Sequence, residues 1–255
     1  MTKPDFSQPE IRSIEDAVVL AGGRGRRMGS LTETLPKPLL EVDGRAILLH
    51  ILEGMARAGV RRAHVVVGYQ GERIESLLEG ADPGLETVVH WQKEPRGTAD
   101  ALLSARGGPK SAFLLSWGDV ILPAADYAAV CEAFRAPDCD AALGVNRVDD
   151  PCEGAAVYVG EDLLVERIVE KPPMGTSRTP FNNSGLFALP LEVFDVAARV
   201  EPSPRGELEL PAAFQSMLAS GVRFRAVELC GWTHVGTPDE LQEAQGLEHD
   251  DAEQE

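Results

Sequence analysis

Ala17-Val18-Val19-Leu20-Ala21-Gly22-Gly23-Arg24-Gly25-Arg26-Arg27-Met28 joins a short apolar run to a glycine-rich, basic loop. A continuous aliphatic run that stops at glycines predicts a buried strand feeding a loop. In an open, largely parallel sheet, ligands bind outside the carboxyl ends of the strands, which is where Gly22 begins. Glycines let backbone N–H groups come close to a phosphate. Between residues 22 and 37, Arg24, Arg26, Arg27 and Lys37 face a single acid, Glu33. The whole chain has 24 Lys and Arg against 41 Asp and Glu, a net charge of −17, so this stretch locally reverses the sign of the molecule. Neither of two familiar phosphate loops fits it. The dinucleotide fingerprint G-x-G-x-x-G meets Met28 where its third glycine belongs, and no Gly-Lys pair exists for a P-loop.

Outward from the loop, strands and helices alternate. Ile47–Ala58 carries Ile47, Leu48, Ile51, Leu52 and Met55 at helical spacing and stops near Gly59. Ala63–Val67 predicts a strand, Glu72–Leu78 a helix, Glu86–Trp91 a strand and Thr98–Ala105 a helix. Ala112–Leu115 then predicts a strand leading to Trp117-Gly118-Asp119. This alternation implies parallel βαβ units with right-handed crossovers. Past residue 140 come four strand-like runs, Ala141–Val148, Ala155–Val159, Leu164–Val169 and Ser184–Ala188. Helices follow at Leu191–Ala198 and Leu210–Leu218, a strand at Arg223–Glu228 and a closing helix at Pro238–Gln245. There is no linker-like composition and no internal repeat, so one domain is expected over residues 16–245. An N-terminal extension, 1–15, and an acidic tail, 246–255, flank it.

Composition narrows the function. The 255 residues are 44% hydrophobic and 25% charged, as expected of a soluble globular chain. So acidic a protein is a poor general nucleic-acid binder. Pro238–Glu255 holds eight acids and no Lys or Arg, which reads as a solvated end. Cys131, Cys139, Cys152 and Cys230 form no C-x-x-C pair and are expected to be reduced thiols. The polar start lacks a signal-peptide core, and no apolar run approaches the roughly 18 residues of a membrane span. A cytoplasmic protein without membrane partners is the expectation.

The opening loop, followed by Leu35-Pro36-Lys37-Pro38-Leu39-Leu40, resembles the signature of sugar-1-phosphate nucleotidyltransferases, also called nucleotide-sugar pyrophosphorylases. Their pattern is roughly L-A-G-G-x-G-T-R-L, then P-K-P-L; here Arg26 stands for the usual Thr and Met28 for the usual Leu. A G-G-x-G-x-R-M-G start also fits molybdopterin guanylyl- and isoprenoid cytidylyltransferases, so later motifs must discriminate. Gln92-Lys93-Glu94-Pro95-Arg96-Gly97-Thr98-Ala99 is similar to Q-x-x-P-x-G-T-A, Gly118-Asp119 to the metal-binding G-D, and Val169-Glu170-Lys171-Pro172 to V-E-K-P. Arg205-Gly206-Glu207-Leu208-Glu209-Leu210 resembles the R-G-E-L-E-I of thymidylyl- and uridylyl-transferring members. Trp232-Thr233-His234-Val235-Gly236-Thr237-Pro238 resembles W-x-D-x-G-T-P. The resemblance implies an α/β fold, a Rossmann-like three-layer sandwich with a mixed, mostly parallel twisted sheet, of the nucleotide-diphospho-sugar transferase type.

It also implies a reaction, in which a sugar 1-phosphate oxygen attacks the α-phosphorus of a nucleoside triphosphate and pyrophosphate leaves. A phosphate nucleophile needs no strong base, so catalysis is positioning and charge neutralisation. Arg27 would stabilise the triphosphate and leaving pyrophosphate, Lys37 the α-phosphate region and Lys171 the sugar phosphate. Gln92 would read the base through an amide that can both donate and accept, with Gly97 letting the backbone pass close to it. Gly154 and Glu170 are the expected sugar contacts, and Leu20, Ala21, Gly22, Gly23, Thr98 and Asn183 complete the expected substrate-binding set.

Metal binding is where this chain departs from the family. Members place Mg²⁺ between two Asp carboxylates; Asp119 matches the first, but His234 occupies the second. Three outcomes follow. Mg²⁺ could sit on Asp119 with substrate phosphates and waters. Mn²⁺ or another softer divalent ion could use His234. Or turnover is lost and a regulatory nucleotide-sugar-binding protein remains. Asp239, in the closing helix, is not expected to substitute. A glycosyltransferase would show Asp-x-Asp where Trp117-Gly118-Asp119 offers one carboxylate. UTP or dTTP and glucose 1-phosphate are favoured; guanylyl and cytidylyl transfer, and mannose 1-phosphate, stay open. Because the chain ends soon after its G-T-P helix, a monomer or homodimer is expected. His50 and His64 read as structural, and His90 adjoins the base-reading segment. Trp91, Trp117 and Trp232 read as core or pocket-wall aromatics.

Overall fold

Asp16–Leu20 forms the strand foreseen at the glycine-rich loop, with a parallel neighbour on each side. The computed structural model describes residues 13–246. Expectations for 1–12 and 247–255, including most of the acidic tail, lie outside the described residues. The elements are β1 (Asp16–Leu20), α1 (Leu31–Thr34), a hairpin of β2 (Glu41–Val42) and β3 (Arg45–Ala46), α2 (Ile47–Arg57), β4 (Arg62–Val67) and α3 (Gly71–Gly80). Next come β5 (Glu86–Trp91), α4 (Thr98–Ser104), β6 (Phe113–Trp117), β7 (Val120–Ile121) and α5 (Ala124–Arg135). The second half runs β8 (Ala141–Arg147), β9 (Ala155–Val159), β10 (Val165–Glu170), β11 (Phe181–Leu189), α6 (Val193–Ala197) and α7 (Leu210–Ala219). It closes with β12 (Phe224–Glu228), β13 (Thr233–His234) and α8 (Pro238–Glu243).

Nine strands make one mixed sheet along the path β10-β9-β11-β6-β1-β4-β5, with β8 paired to β11 and β12 to β8. β1 is parallel to β4 on one side and to β6 on the other, and β4 is parallel to β5. β11 enters antiparallel to β6. The chain leaves β1 toward β4 and later returns to β6 on the opposite side. The carboxyl ends of β1 and β6 therefore flank a switch point, the usual location of a ligand crevice. The glycine-rich loop and Asp119 emerge there.

Both faces of the sheet are covered. Ala17 and Val19 point to a layer containing Leu48, Ile51, Met55, Tyr127 and Phe134. Val18 points the other way, toward Leu102, Phe113, Leu115, Phe187 and Phe214. Burial on both sides explains why β1 reads as an unbroken apolar run instead of an alternating one.

Three readings are corrected. α5 was not anticipated, although Tyr127, Val130, Cys131 and Phe134 are buried at helical spacing. β11 extends beyond Ser184–Ala188 because Phe181 to Asn183 pair with β8, with a register shift before Phe187. Trp91 is neither core nor pocket wall: on edge strand β5 it is 41% exposed, and its indole N–H donates to Glu75 at 3.1 Å. The four cysteines are free, with Cys131 and Cys139 buried. No described helix is long and apolar enough to cross a membrane.

Candidate active site

Two adjoining cavities open at the switch point. One, of about 350 Å³, is lined by Leu20, Ala21, Gly22, Gly23, Lys37, Gln92 and Gly97. The other, of about 570 Å³, is lined by Arg27, Gly154, Glu170, Lys171, Asn183 and His234. Thr98, Trp117, Asp119 and Glu207 belong to both. Every residue given a catalytic, substrate-binding or metal role from the sequence lines one or both of these adjoining cavities, although the motifs span residues 20 to 238.

A chain of charges crosses the junction. Lys37, whose side chain is only 9% exposed, donates from Nζ to Asp119 Oδ2 at 2.9 Å. His234 Nε2 faces the same oxygen at 3.7 Å, and its Nδ1 lies 3.2 Å from Glu240 Oε1. Burial would raise the Asp119 pKa, but Lys37 and His234 outweigh it and hold the carboxyl well below its ordinary range. For His234 burial favours the neutral ring, yet Asp119 and Glu240 together raise its pKa above the usual value. Trp232 stacks on the imidazole (7° between planes) and donates its N–H to Ser184 O at 2.9 Å. The ring is thereby locked in plane and in direction.

These donors bear on a divalent ion. A metal-ligating histidine usually gives its second nitrogen to a carboxylate, as Nδ1 does to Glu240, leaving Nε2 aimed at Asp119. Among the described residues no group of three or more His, Cys, Asp or Glu side chains forms a cage. An ion here would complete its shell with phosphate oxygens and water, the habit of Mg²⁺. The donor pair Asp119 and His234 fits an ion brought in with substrate.

In the smaller cavity, Gln92 is buried, and its Nε2 donates to Asp100 Oδ2 at 2.9 Å and to Gly97 O at 3.2 Å. Gly97 adopts φ 122°, and a Cβ there would meet Leu208 O at 2.4 Å. Besides lining the cavity, it lets the segment around Leu208 dock. Leu208 N donates to Arg96 O at 2.8 Å, Ala99 N donates to Leu208 O at 2.9 Å, and Leu210 N donates to Thr98 Oγ1 at 2.9 Å. Trp117 fits because Gly185 lies against it; a Cβ on Gly185 would stand 2.2 Å from the indole.

In the larger cavity, Arg205 bonds both Glu209 and Glu170, the latter at 3.4 Å. Burial, then the neighbouring Glu209, pushes the Glu170 pKa up. Lys171 is exposed, with a positive φ of 42°, and its N–H donates to Gly154 O at 2.8 Å. Arg27 is 57% exposed at the rim, 3.9 Å from Glu153.

Sequence reasoning missed Glu240, Asp100, Asn182 and Glu207. Glu240 carried a signal: Thr237-Pro238-Asp239-Glu240 has capping-box spacing. Thr237 Oγ1 accepts from Glu240 N, while Glu240 Oε2 accepts from Gly236 N at 2.7 Å, leaving Oε1 for His234. His64 and His90, read separately, are a pair with Nδ1 and Nε2 2.9 Å apart, and His50 Nε2 lies 2.9 Å from Val42 O.

A doubly covered mixed sheet whose switch point gathers glycine backbone, a Lys–Asp pair and a rim of cations defines an α/β protein with a cationic crevice at the carboxyl ends of its strands. The family model described as "Nucleotidyl transferase" matches residues 16–251, and the chain belongs to that family. The protein is 33% identical over 232 residues to the UTP--glucose-1-phosphate uridylyltransferase AglF of Haloferax volcanii, covering 90% of this chain and 94% of that one. It is 32% identical over 224 residues to the bifunctional protein GlmU of Methanococcus maripaludis, covering 88% of this chain and 52% of GlmU. The chain thus spans about half the length of the GlmU proteins it matches. A solved UDP-glucose pyrophosphorylase complexed with UDP-glucose superposes with a TM-score of 0.83 at 17% identity, covering 91% of this chain and 97% of that one, which shows the shared fold.

Proposed function

We propose that the protein transfers a nucleoside monophosphate from UTP or dTTP to a hexose 1-phosphate, with glucose 1-phosphate favoured, and releases pyrophosphate. The observation that carries this reading is the Lys37–Asp119 pair, a buried lysine on a carboxylate at the junction of the two cavities, where an α-phosphorus and an incoming phosphate oxygen would meet. That oxygen forms the new P–O bond as the bond to the bridging α–β oxygen breaks. Its negative charge makes a general base unnecessary. Lys37 would neutralise charge at the α-phosphate, Arg27 the departing pyrophosphate, and Lys171 the sugar phosphate; forked Arg donors and point-like Lys suit phosphoryl oxygens. Gln92 would bind the base, and Gly154, Glu170 and Asn183 the sugar.

Asp119 and His234 would hold the divalent ion, Mg²⁺ or Mn²⁺, together with substrate oxygens. Such an ion supplies neutralisation of the triphosphate when bound. The uridylyl and glucose preference is supported by Arg205–Leu210 and by the similarity to AglF over nearly all of that protein's length. We place the transferase domain at residues 16–245 of a cytoplasmic monomer or homodimer. A second reading, a regulatory nucleotide-sugar binder, is favoured by one observation: both His234 nitrogens already face carboxylates.

Pyrophosphate release from five nucleoside triphosphates against glucose, mannose and N-acetylglucosamine 1-phosphates, each with Mg²⁺ and Mn²⁺, separates the two. Turnover of one pair establishes the reaction, base and sugar. Nucleotide binding with no release across the panel supports the regulatory reading.

A further inference from the structure

The His234 ring is held by its neighbours in one place and in one state. Its Nδ1 lies 3.2 Å from Glu240 Oε1, and a carboxylate can only accept, so the proton of the neutral ring belongs on Nδ1. Glu240 is fixed in turn. Its Oε2 accepts from Gly236 N at 2.7 Å, and its own N–H donates to Thr237 Oγ1 at 3.3 Å. Trp232 lies parallel to the imidazole with 5.7 Å between centroids, and a Cβ on Gly236 would stand 2.2 Å from its Cε1. Nε2 is left with its lone pair. Opposite it, at 3.7 Å and beyond hydrogen-bond reach, stands Asp119 Oδ2, which also accepts from Lys37 Nζ. Two electron-pair donors therefore face one gap in the wall of the larger cavity.

We infer that Glu240 is a positioning residue that keeps the ring proton on Nδ1 and so frees Nε2 to ligate beside Asp119. The site is thereby turned toward divalent ions that accept imidazole, Zn²⁺ or Co²⁺, ahead of Mg²⁺. A neutral histidine offers one ring lone pair at a time, so the choice of protonated nitrogen decides whether it can ligate in a given direction. An aspartate here would need no such partner. Hard Mg²⁺ prefers oxygen, whereas imidazole suits zinc and the later first-row ions. This inference rests on the reading of Asp119 and His234 as the ion's donors, and it adds the class of ion and a residue that acts only through His234.

The test is ring-nitrogen NMR of the isotope-labelled full chain, kept free of metal in mildly alkaline buffer, followed by titration with Zn²⁺ alone and with Mg²⁺ alone. The His234 signals are those lost in His234→Gln. A protonated Nδ1 and a bare Nε2 are expected; a proton on Nε2, instead or as well, overturns the inference. Zn²⁺ is expected to move the Nε2 signal and to bind about tenfold or more tightly than Mg²⁺. In Glu240→Gln the Gly236 N–H, which can only donate, turns the new amide oxygen toward itself and the NH₂ toward His234. The ring proton is thereby driven to Nε2. Zn²⁺ affinity is then expected to fall about 10–100-fold, while Mg²⁺ affinity changes by about threefold or less. A merely structural role would lower both ions in parallel; that result, or an unchanged tautomer in the folded variant, overturns the role of Glu240. Should the variant not fold, the tautomer and the ion ratio of the unaltered protein still decide. Zn²⁺ no tighter than Mg²⁺, or a bare Nε2 that neither ion moves, overturns the inference and leaves the transferase to be judged on pyrophosphate release. Zn²⁺ on His234 with no release from any nucleotide would keep the ion site and remove the transferase.

Discussion

The two cavities share a wall but are built from different materials. In the smaller cavity, proposed for the nucleotide, the polar groups are buried and committed: Gln92 to Asp100, Asp100 to Arg96, and the backbone of 96–99 to Leu208. In the larger cavity, proposed for the sugar phosphate, the lining is charged and partly exposed, with Arg27, Lys171 and Arg205 among Glu153, Glu170 and Glu209. Fixed hydrogen bonds reject a wrong partner by leaving groups unpaired, whereas exposed charges mainly attract. The nucleotide side should therefore discriminate more sharply than the sugar side.

The largest expected effect is at the junction that serves both. Lys37→Met removes a preorganised donor and should lower kcat by about 10²–10³, corresponding to about 2.7–4 kcal/mol. Single-turnover kinetics would check this, and a loss confined to KM would place Lys37 on one side only. Next, Gly97→Ala forces a Cβ toward the Leu208 carbonyl at a positive φ, and is expected to destabilise by about 1–3 kcal/mol, read from urea unfolding. Its nucleotide affinity should fall more than its sugar-phosphate affinity; equal losses would break the comparison.

His234→Asp exchanges nitrogen for oxygen opposite Asp119. Mg²⁺-supported turnover should rise and any Mn²⁺ preference flatten, with Mn²⁺ binding followed by electron paramagnetic resonance as a readout independent of turnover. An unchanged metal profile would show that His234 is not a ligand.

The smallest effect concerns acid. His64 is desolvated and faces His90, Asp16, Arg62 and Lys110; His90 is lowered chiefly by burial. Both pKa values lie below the ordinary 6.5, so the folded state takes up protons less readily than the unfolded chain. Their contribution to stability is complete above about pH 6.5 and is lost as the pH falls through the lowered values. Melting temperature should drop between pH 7.5 and 5.5 by about 2–4 °C per kcal/mol lost, and less so in His90→Gln. An equal drop in both proteins would assign the effect elsewhere.

Much of this was readable from local pattern. β1 and the glycine-rich loop announced the parallel half, and motif order gathered the lining residues before any geometry was known. What escaped has a common physical cause. The state of His234 depends on Glu240, which was visible as a helix cap but not as a partner. The direction of Gln92 depends on a carboxylate eight positions along, brought round by a helix and clamped by Arg96. α5 escaped for a different reason: its pattern was present, but Ala-rich spacing between Tyr127 and Phe134 left only a faint stripe.

The docking of Leu208 has one more consequence. Its N–H and C=O both bond the segment that carries Gly97, while its own strand of sequence carries Arg205 and Glu209 to the sugar side. The two proposed substrates would therefore share a single backbone seam, and anything that orders one lip of it would order the other. Linkage then demands symmetry: whatever factor sugar phosphate adds to nucleotide affinity, nucleotide must return to sugar phosphate. Cutting the seam at Leu208 or Leu210 would decouple the two ligands while leaving every side chain that touches them in place.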